Sequence, residues 1–267
     1  MTNAAQEISA TNLGRRLSLD GPDDELTELG RTLDDLFARL QASFESQRQF
    51  VANASHELRT PLAGQRTLLQ VALADPNADA QALRSTCEET LQLSGQQERL
   101  IDALLTLASS ERGVEAWEPF DLAQLTKDVV HSRQQEAERR GVQVNGMFGE
   151  VQAIGEAHLV ESLVANLLDN AIRHNVADGA VEVSTGAAPG GARLSVSNTG
   201  AVIPAGDVER LFQPFQRLGA QRVGPADGHG LGLAIVEAIA TAHGATLVAR
   251  PGPRGGLDVE VTFRVSR

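Results

Sequence analysis

His56 and Glu57 stand side by side in the stretch SHELRTP (55–61), with Thr60 one helical turn beyond the histidine and Pro61 directly after it. An imidazole reaching solvent can act as a nucleophile. A neighbouring carboxylate can hold one ring nitrogen protonated and leave the other lone pair free to attack. Metal ligation fits less well, because HELRT lacks the second histidine of H-E-x-x-H and no cysteine is near. A solvated helix face is the plain alternative. At 100° per residue, Phe50, Ala54, Leu58 and Leu62 fall within an arc of about 120°, and His56 lies roughly 170° from its centre. The helix therefore buries its apolar stripe and points His56 outward. Thr60 shares the outward face and Glu57 borders it. Pro61 cannot donate to the Glu57 carbonyl, so a local bend is expected beside the histidine.

Such a nucleophile needs an electrophile, and three later segments could supply one. In ESLVANLLDNAIRHN (161–175), Asn166, Asn170 and His174 recur every four residues opposite Val164, Leu168 and Ile172. Amide oxygens are hard, neutral ligands suited to a magnesium ion that keeps its waters and bridges phosphates. An exposed face with incidental asparagines is the competing reading. In VSNTGAVIP (196–204) a strand runs into a turn. Asn198 could hydrogen-bond the edge of a base and Gly200 permits close backbone approach, although an ordinary turn has the same composition. In DGHGLGLAIVEAIATAHG (227–244), Gly228, Gly230 and Gly232 precede a helical apolar run whose first N–H groups could face phosphates. Just upstream, LFQPFQRLGAQRVGPADG (211–228) carries Phe212, Phe215, Arg217 and Arg222. It reads as a lid with two aromatic anchors and two cations.

The elements that must position these residues are legible in outline. Leu26, Leu29, Leu33, Leu36 and Leu40 alternate spacings of three and four, a seam that a helix buries only against partner helices. Ser43 and Gln47 interrupt it before the stripe resumes at Phe50. The helix is expected to run to about Ala74, followed by a loop at 74–79 and a second helix to about Ser110. On that second helix Cys87, between Leu83 and Leu91, is expected as a small buried hydrophobe. One hairpin buries little, so pairing into a four-helix bundle is its natural completion. After a linker at 111–121, in which Asp121 is a plausible N-cap and Trp117 can pack at the junction, the pattern turns mixed. Helices are expected at 122–140, 158–174 and 231–243. Strands are expected around Val181–Val183 and Leu194–Val196, and over Leu257–Val265, forming an antiparallel or mixed sheet backed by helices.

Composition narrows the function. A formal net charge of −12 argues against a nucleic-acid partner, and 3% aromatics with no tyrosine implies cores of Leu, Val and Ala. One cysteine excludes an internal disulfide and a cysteine zinc cluster. No apolar stretch reaches the roughly 18–20 residues of a membrane span, and the first residues do not form a signal peptide.

Taken in order, these blocks closely resemble the catalytic part of the sensor histidine kinases of two-component systems. FVANASHELRTPL resembles their phosphoacceptor block, ESLVANLLDNAIRHN the N box, VSNTGAVIP the G1 box, LFQPF the F box and GHGLGLAIV the G2 box. DDELTELGRTLDDLFARL resembles the C-terminal half of a HAMP relay module. The resemblance implies a multidomain α and α+β chain. A connector at 1–40 is followed by a dimeric four-helix-bundle hairpin at 41–112 and a Bergerat-type α/β sandwich ATP-binding domain at 113–267. It further implies that His56 attacks the ATP γ-phosphoryl group, that Glu57 orients the ring and accepts its proton, and that Thr60 positions a water in a phosphatase step. Asn170 and Asn166 would hold Mg²⁺. Arg173, His174, Asn198, Gly200, Arg217, Gly228, Gly230, Leu231 and Gly232 would shape the nucleotide site. The implied partners are a second copy of the chain and a response-regulator receiver domain. The implied location is the cytoplasmic side of the plasma membrane, reached through an N-terminal sensor region that this sequence lacks.

Two positions depart from the pattern. Asn198 stands where the family places an adenine-binding aspartate, and Val202 replaces the second glycine of the G1 box. Both are expected to weaken nucleotide use, and a kinase-deficient phosphatase or signalling scaffold is the alternative they raise. A gyrase-type ATPase is disfavoured by SHELRTP and by an N box without an obvious glutamate base.

Overall fold

The computed structural model describes residues 25–216 and 229–265. The connector before residue 25, together with Arg217, Arg222 and Gly228, lies outside the described residues. The chain divides into two units, one ending at Gly64 and the other beginning at Gln65.

Helix α1 (Glu25–Ala74) passes through Pro61 without a break. The expected bend is therefore not an interruption, and the Thr60 hydroxyl donates to the His56 carbonyl at 3.1 Å. In the first unit the seam leucines Leu29, Leu36 and Leu40 are about half exposed, as are Val51 and Leu62. A single chain leaves that stripe without the partner helices it requires.

In the second unit the end of α1 turns through Asp75–Asp79 into α2 (Ala80–Glu111). Asp79 caps α2, its carboxylate accepting the Ala82 N–H at 2.7 Å. The Gln65 side chain reaches α2 and donates to the Ser94 hydroxyl at 3.0 Å. Cys87 corrects an expectation: it is exposed, as are Leu83 and Leu91 beside it. The face that α2 buries within the chain is a different one, carrying Leu100 and Leu107. The apolar periodicity around Cys87 was real, but the chain itself supplies nothing to cover it.

The mixed region begins at β1 (Glu118–Asp121), and Asp121 caps α3 (Leu122–Arg139) by accepting the Gln124 N–H at 2.9 Å. There follow β2 (Gln143–Phe148), β3 (Gln152–Gly155), α4 (Ala157–Arg173), β4 (Ala180–Ala188), β5 (Gly191–Asn198), two short 3₁₀ turns (Ala205–Asp207 and Glu209–Phe212), α5 (Gly232–Ala242), β6 (Thr246–Pro251) and β7 (Leu257–Phe263). The main sheet has the order β2-β4-β5-β7-β6, parallel only between β2 and β4, and β1 pairs with β3 in a separate ribbon. Val181, Val183, Leu194, Val196, Val259, Val261 and Phe263 alternate onto one buried face. Polar residues occupy the other, where Arg193 meets Glu260 at 3.7 Å. Helix α4 packs against both α3 and α5, and all three touch the sheet. The fold is thus a helical hairpin followed by an α/β layer. No helix among the described residues is long and apolar enough to cross a membrane.

Candidate functional site

His56 and Thr60 are exposed on α1 and Glu57 is half-buried beside them. The outward placement read from the helical arc is the one observed. The Thr60 hydroxyl already donates to a carbonyl, so toward any further group it can act only as an acceptor.

Asn166, Asn170, Arg173, His174, Asn198, Gly230, Leu231 and Gly232 gather around one cavity of about 1310 Å³ in the second unit. Helix α4 supplies the first wall. Leu163, Val164, Leu167, Leu168, Ala171 and Ile172 are buried, which turns Asn166, Asn170 and Arg173 toward the cavity, and His174 lines it just past the helix end. The Asn170 amide has no hydrogen-bond partner among the described residues. Asn166 donates to the Ser162 carbonyl at 2.8 Å, leaving its oxygen toward Gly232, where an added Cβ would stand 3.2 Å away. A glycine is what lets α5 begin this close to α4. Gly230, Leu231 and Gly232 form the second wall. The first N–H groups of α5 have no intrahelical acceptor, which suits an anion.

The third wall is the end of β5. Asn198 is 7% exposed and lines the cavity. Its amide donates to the Thr199 carbonyl at 2.6 Å and its oxygen accepts the Leu257 N–H at 3.3 Å. That oxygen keeps a second lone pair for a base. Gly200 plays a part other than the one expected, because it does not line the cavity. A Cβ there would sit 2.8 Å from the His174 carbonyl, so its close approach is to protein backbone. Val202 does not line the cavity. It is 86% exposed, its bulk points to solvent, and its φ is not left-handed.

Sequence reasoning missed the residues that hold these walls together. Asn175 donates to the carbonyls of Ala171 (3.0 Å) and Ala180 (3.3 Å) and accepts the Thr199 hydroxyl at 2.6 Å. Thr199 in turn accepts the Ala180 N–H at 2.9 Å, so the end of α4, the start of β4 and the end of β5 share one network. The Pro251–Gly256 loop braces Asn198 from the far side. Gly256, at φ +74°, donates to the Ala201 carbonyl at 2.8 Å, and any Cβ on it would collide with the Asn198 carbonyl. The Gly255–Gly256 doublet could have signalled this, but alone it reads as any hairpin turn.

Just before residue 217, Phe212 is buried, and the Phe215 N–H donates to the Gly230 carbonyl at 2.8 Å. Phe215 has φ +64°, a left-handed conformation that costs a non-glycine residue about 1–2 kcal/mol. The clasp joins the chain on both sides of the segment 217–228. The two phenylalanines expected as anchors are thus distinct: one fills the core and the other carries strained backbone.

Comparison with known proteins follows the same division. Residues 46–113 match the His Kinase A phospho-acceptor domain, and residues 155–267 match the histidine kinase-, DNA gyrase B- and HSP90-like ATPase family. The sensor protein CutS of Streptomyces coelicolor is 44% identical over 266 residues, covering 99% of this chain and 64% of CutS. The sensor protein IrlS of Burkholderia pseudomallei is 31% identical over 244 residues, 91% of this chain and 52% of IrlS. The chain therefore spans between about half and two thirds of these relatives' length. The solved Acinetobacter baumannii histidine kinase AdeS shares the fold, with a TM-score of 0.61 at 23% identity over 79% of this chain and 98% of that one. With a phosphoacceptor hairpin and an ATPase module in this order, the chain belongs to the bacterial sensor histidine kinases.

Proposed function

We propose that the chain is an ATP-dependent autokinase that phosphorylates His56 and passes the phosphoryl group to an aspartate on a response-regulator receiver domain. The observation that carries this reading is the convergence of Asn166, Asn170, Arg173, Asn198 and Gly230–Gly232 on one cavity, in a chain that also exposes His56 beside Glu57. A ring nitrogen of His56 attacks the γ-phosphorus, the bond to the leaving ADP oxygen breaks, and Glu57 holds the other ring nitrogen and takes up its proton. Phosphoryl transfer asks mainly for positioning and charge neutralisation. Arg173 supplies a cation at the last turn of α4, and Arg217 a second from the lid segment. Asn198 accepts from the adenine amino group, and His174 packs beside the nucleotide.

The donor set suits Mg²⁺. Asn170 offers an unengaged amide oxygen with the Asn166 oxygen one turn away, and no cluster of three or more His, Cys, Asp or Glu among the described residues competes for an ion. Bound there, Mg²⁺ would neutralise phosphate charge.

The exposed leucines of α1 and α2 support a homodimer through the hairpin, completing a four-helix bundle. We assign 1–40 to the connector, 41–112 to dimerisation and phosphotransfer and 113–267 to ATP binding. The relatives are longer and named as sensors, which supports a cytoplasmic portion of a plasma-membrane protein. The alternative, a kinase-deficient phosphatase or scaffold with Thr60 positioning water, now rests on Asn198 alone, since Val202 leaves the cavity clear. A single-turnover experiment separates the two. The kinase reading expects Mg²⁺-dependent release of ADP, up to one per chain, that is lost in His56→Gln. ATP binding without that burst would favour the alternative.

A further inference from the structure

The nucleotide cavity has a wall that belongs to none of the sequence blocks. Gln92, Gln96, Arg99, Asp102, Ala103 and Thr106 of α2 all line it. Gln92, Gln96, Arg99, Ala103 and Thr106 follow spacings of four and three, so they form one stripe along the helix. The stripe is polar and small. Beside it Leu100 and Leu107 are buried, and α2 packs against α5, the helix whose first residues shape the cavity. With the leucines buried on the neighbouring face, α2 presents the polar stripe to the cavity.

Arg99 is the chemically active member of that stripe. It has no hydrogen-bond or ion-pair partner among the described residues, whereas Arg133, which also lines the cavity, is held by Asp169 at 3.2 Å. An added Cβ on Gly95 would lie 3.6 Å from an Arg99 guanidinium nitrogen, so the guanidinium folds over the glycine, one helical turn back. An unpaired, always-charged planar donor on a cavity wall is suited to bidentate contact with phosphate oxygens.

The geometry points to Arg99 as a phosphate-binding residue of the nucleotide site, contributed by the phosphotransfer hairpin. This rests on the reading of the cavity as the ATP site. The hairpin is then part of the nucleotide pocket, and a shift of α2 relative to α5 changes nucleotide affinity directly.

The test is titration of the full chain with ATP, ADP and adenosine in the presence of Mg²⁺, for wild type, Arg99→Gln and Arg99→Lys. A charge-assisted contact at a partly solvated position predicts about five- to tenfold weaker ATP binding in Arg99→Gln. The loss should be smaller for ADP, adenosine should bind unchanged, and Arg99→Lys should recover part of the loss. Unchanged adenosine binding also reports an intact fold. Equal ATP affinity in wild type and Arg99→Gln overturns the assignment, and so does an equal loss for all three ligands, which would mark a damaged pocket. A wild type that binds no ATP overturns the ATP-site reading itself, and Arg99 with it.

Discussion

The side-chain oxygen of Asn198, at the end of β5, accepts the backbone N–H of Leu257, at the start of β7, at 3.3 Å. With the amide nitrogen donating to the Thr199 carbonyl, the residue proposed to read the base also ties two strands together. Asn198→Ala leaves the buried Leu257 N–H without its acceptor, which costs about 1–3 kcal/mol. Denaturant unfolding should record that loss and an ATP titration should show weaker binding. ATP binding more than tenfold tighter in the alanine variant would contradict an adenine contact at this position.

Gly230 is the second test of the site's backbone. At φ +69° an alanine is strained, and its Cβ would meet the backbone of Phe215 and Gln216 at 2.9–3.1 Å. Backbone cannot rotate away as a flexible side chain can. Gly230→Ala is therefore expected to open the clasp with Phe215 and weaken ATP binding about tenfold or more, with a stability cost of about 1–2 kcal/mol. ATP affinity equal to wild type would mean that the clasp does not shape the cavity.

The pH dependence of stability rests on His243, which is 1% exposed. Its Nε2 accepts the Glu156 N–H at 3.1 Å and its Nδ1 donates to the Ile239 carbonyl at 2.9 Å, so the ring is held neutral in one tautomer. Burial pushes its pKa below the ordinary imidazole value of 6.5, against weaker opposing pulls from the Ile239 carbonyl and Glu156. The folded chain therefore binds this proton less readily than the unfolded chain. Its stabilising effect is full above about pH 6.5 and is lost as pH falls through that value toward the lower folded one. Glu237, raised by burial, has the opposite sign, but it is present in both proteins of a comparison. Between pH 7.5 and 5 the unfolding free energy of wild type should fall faster than that of His243→Gln. Parallel curves would remove His243 from the account.

Long periodic elements were readable from the sequence because burial stamps them. The stripe of α4 and the alternation of β4, β5 and β7 follow from one-sided packing, and the cap at Asp121 from a short carboxylate placed where the first N–H groups of α3 need an acceptor. Strands β2 and β6 were not readable. They lie at the two edges of the sheet, and the residues of β6 are mostly half-exposed on both faces, so neither alternates cleanly. Strand β1 is four residues with a proline. In the site, motif positions on α4 and α5 were legible, because a helix converts spacing into a face. The Asn175–Thr199–Ala180 network and the brace from Gly256 were not, because each joins residues far apart in sequence through backbone groups that no pattern of side chains records. Arg99 was hidden for a further reason: its stripe is defined by what it faces, and the sequence shows only a polar run between leucines. Cys87 was misplaced by the converse effect, an apolar stripe whose cover is not in the chain.

The most direct measurement incubates wild type and His56→Gln with Mg²⁺ and ATP labelled at the γ-phosphorus, then follows the protein-bound label in acid and in base. A phosphoramidate on the imidazole predicts a label in wild type that is lost in acid, survives base and is absent from His56→Gln. A label that survives acid, or one that persists in His56→Gln, would contradict His56 as the phosphoryl acceptor.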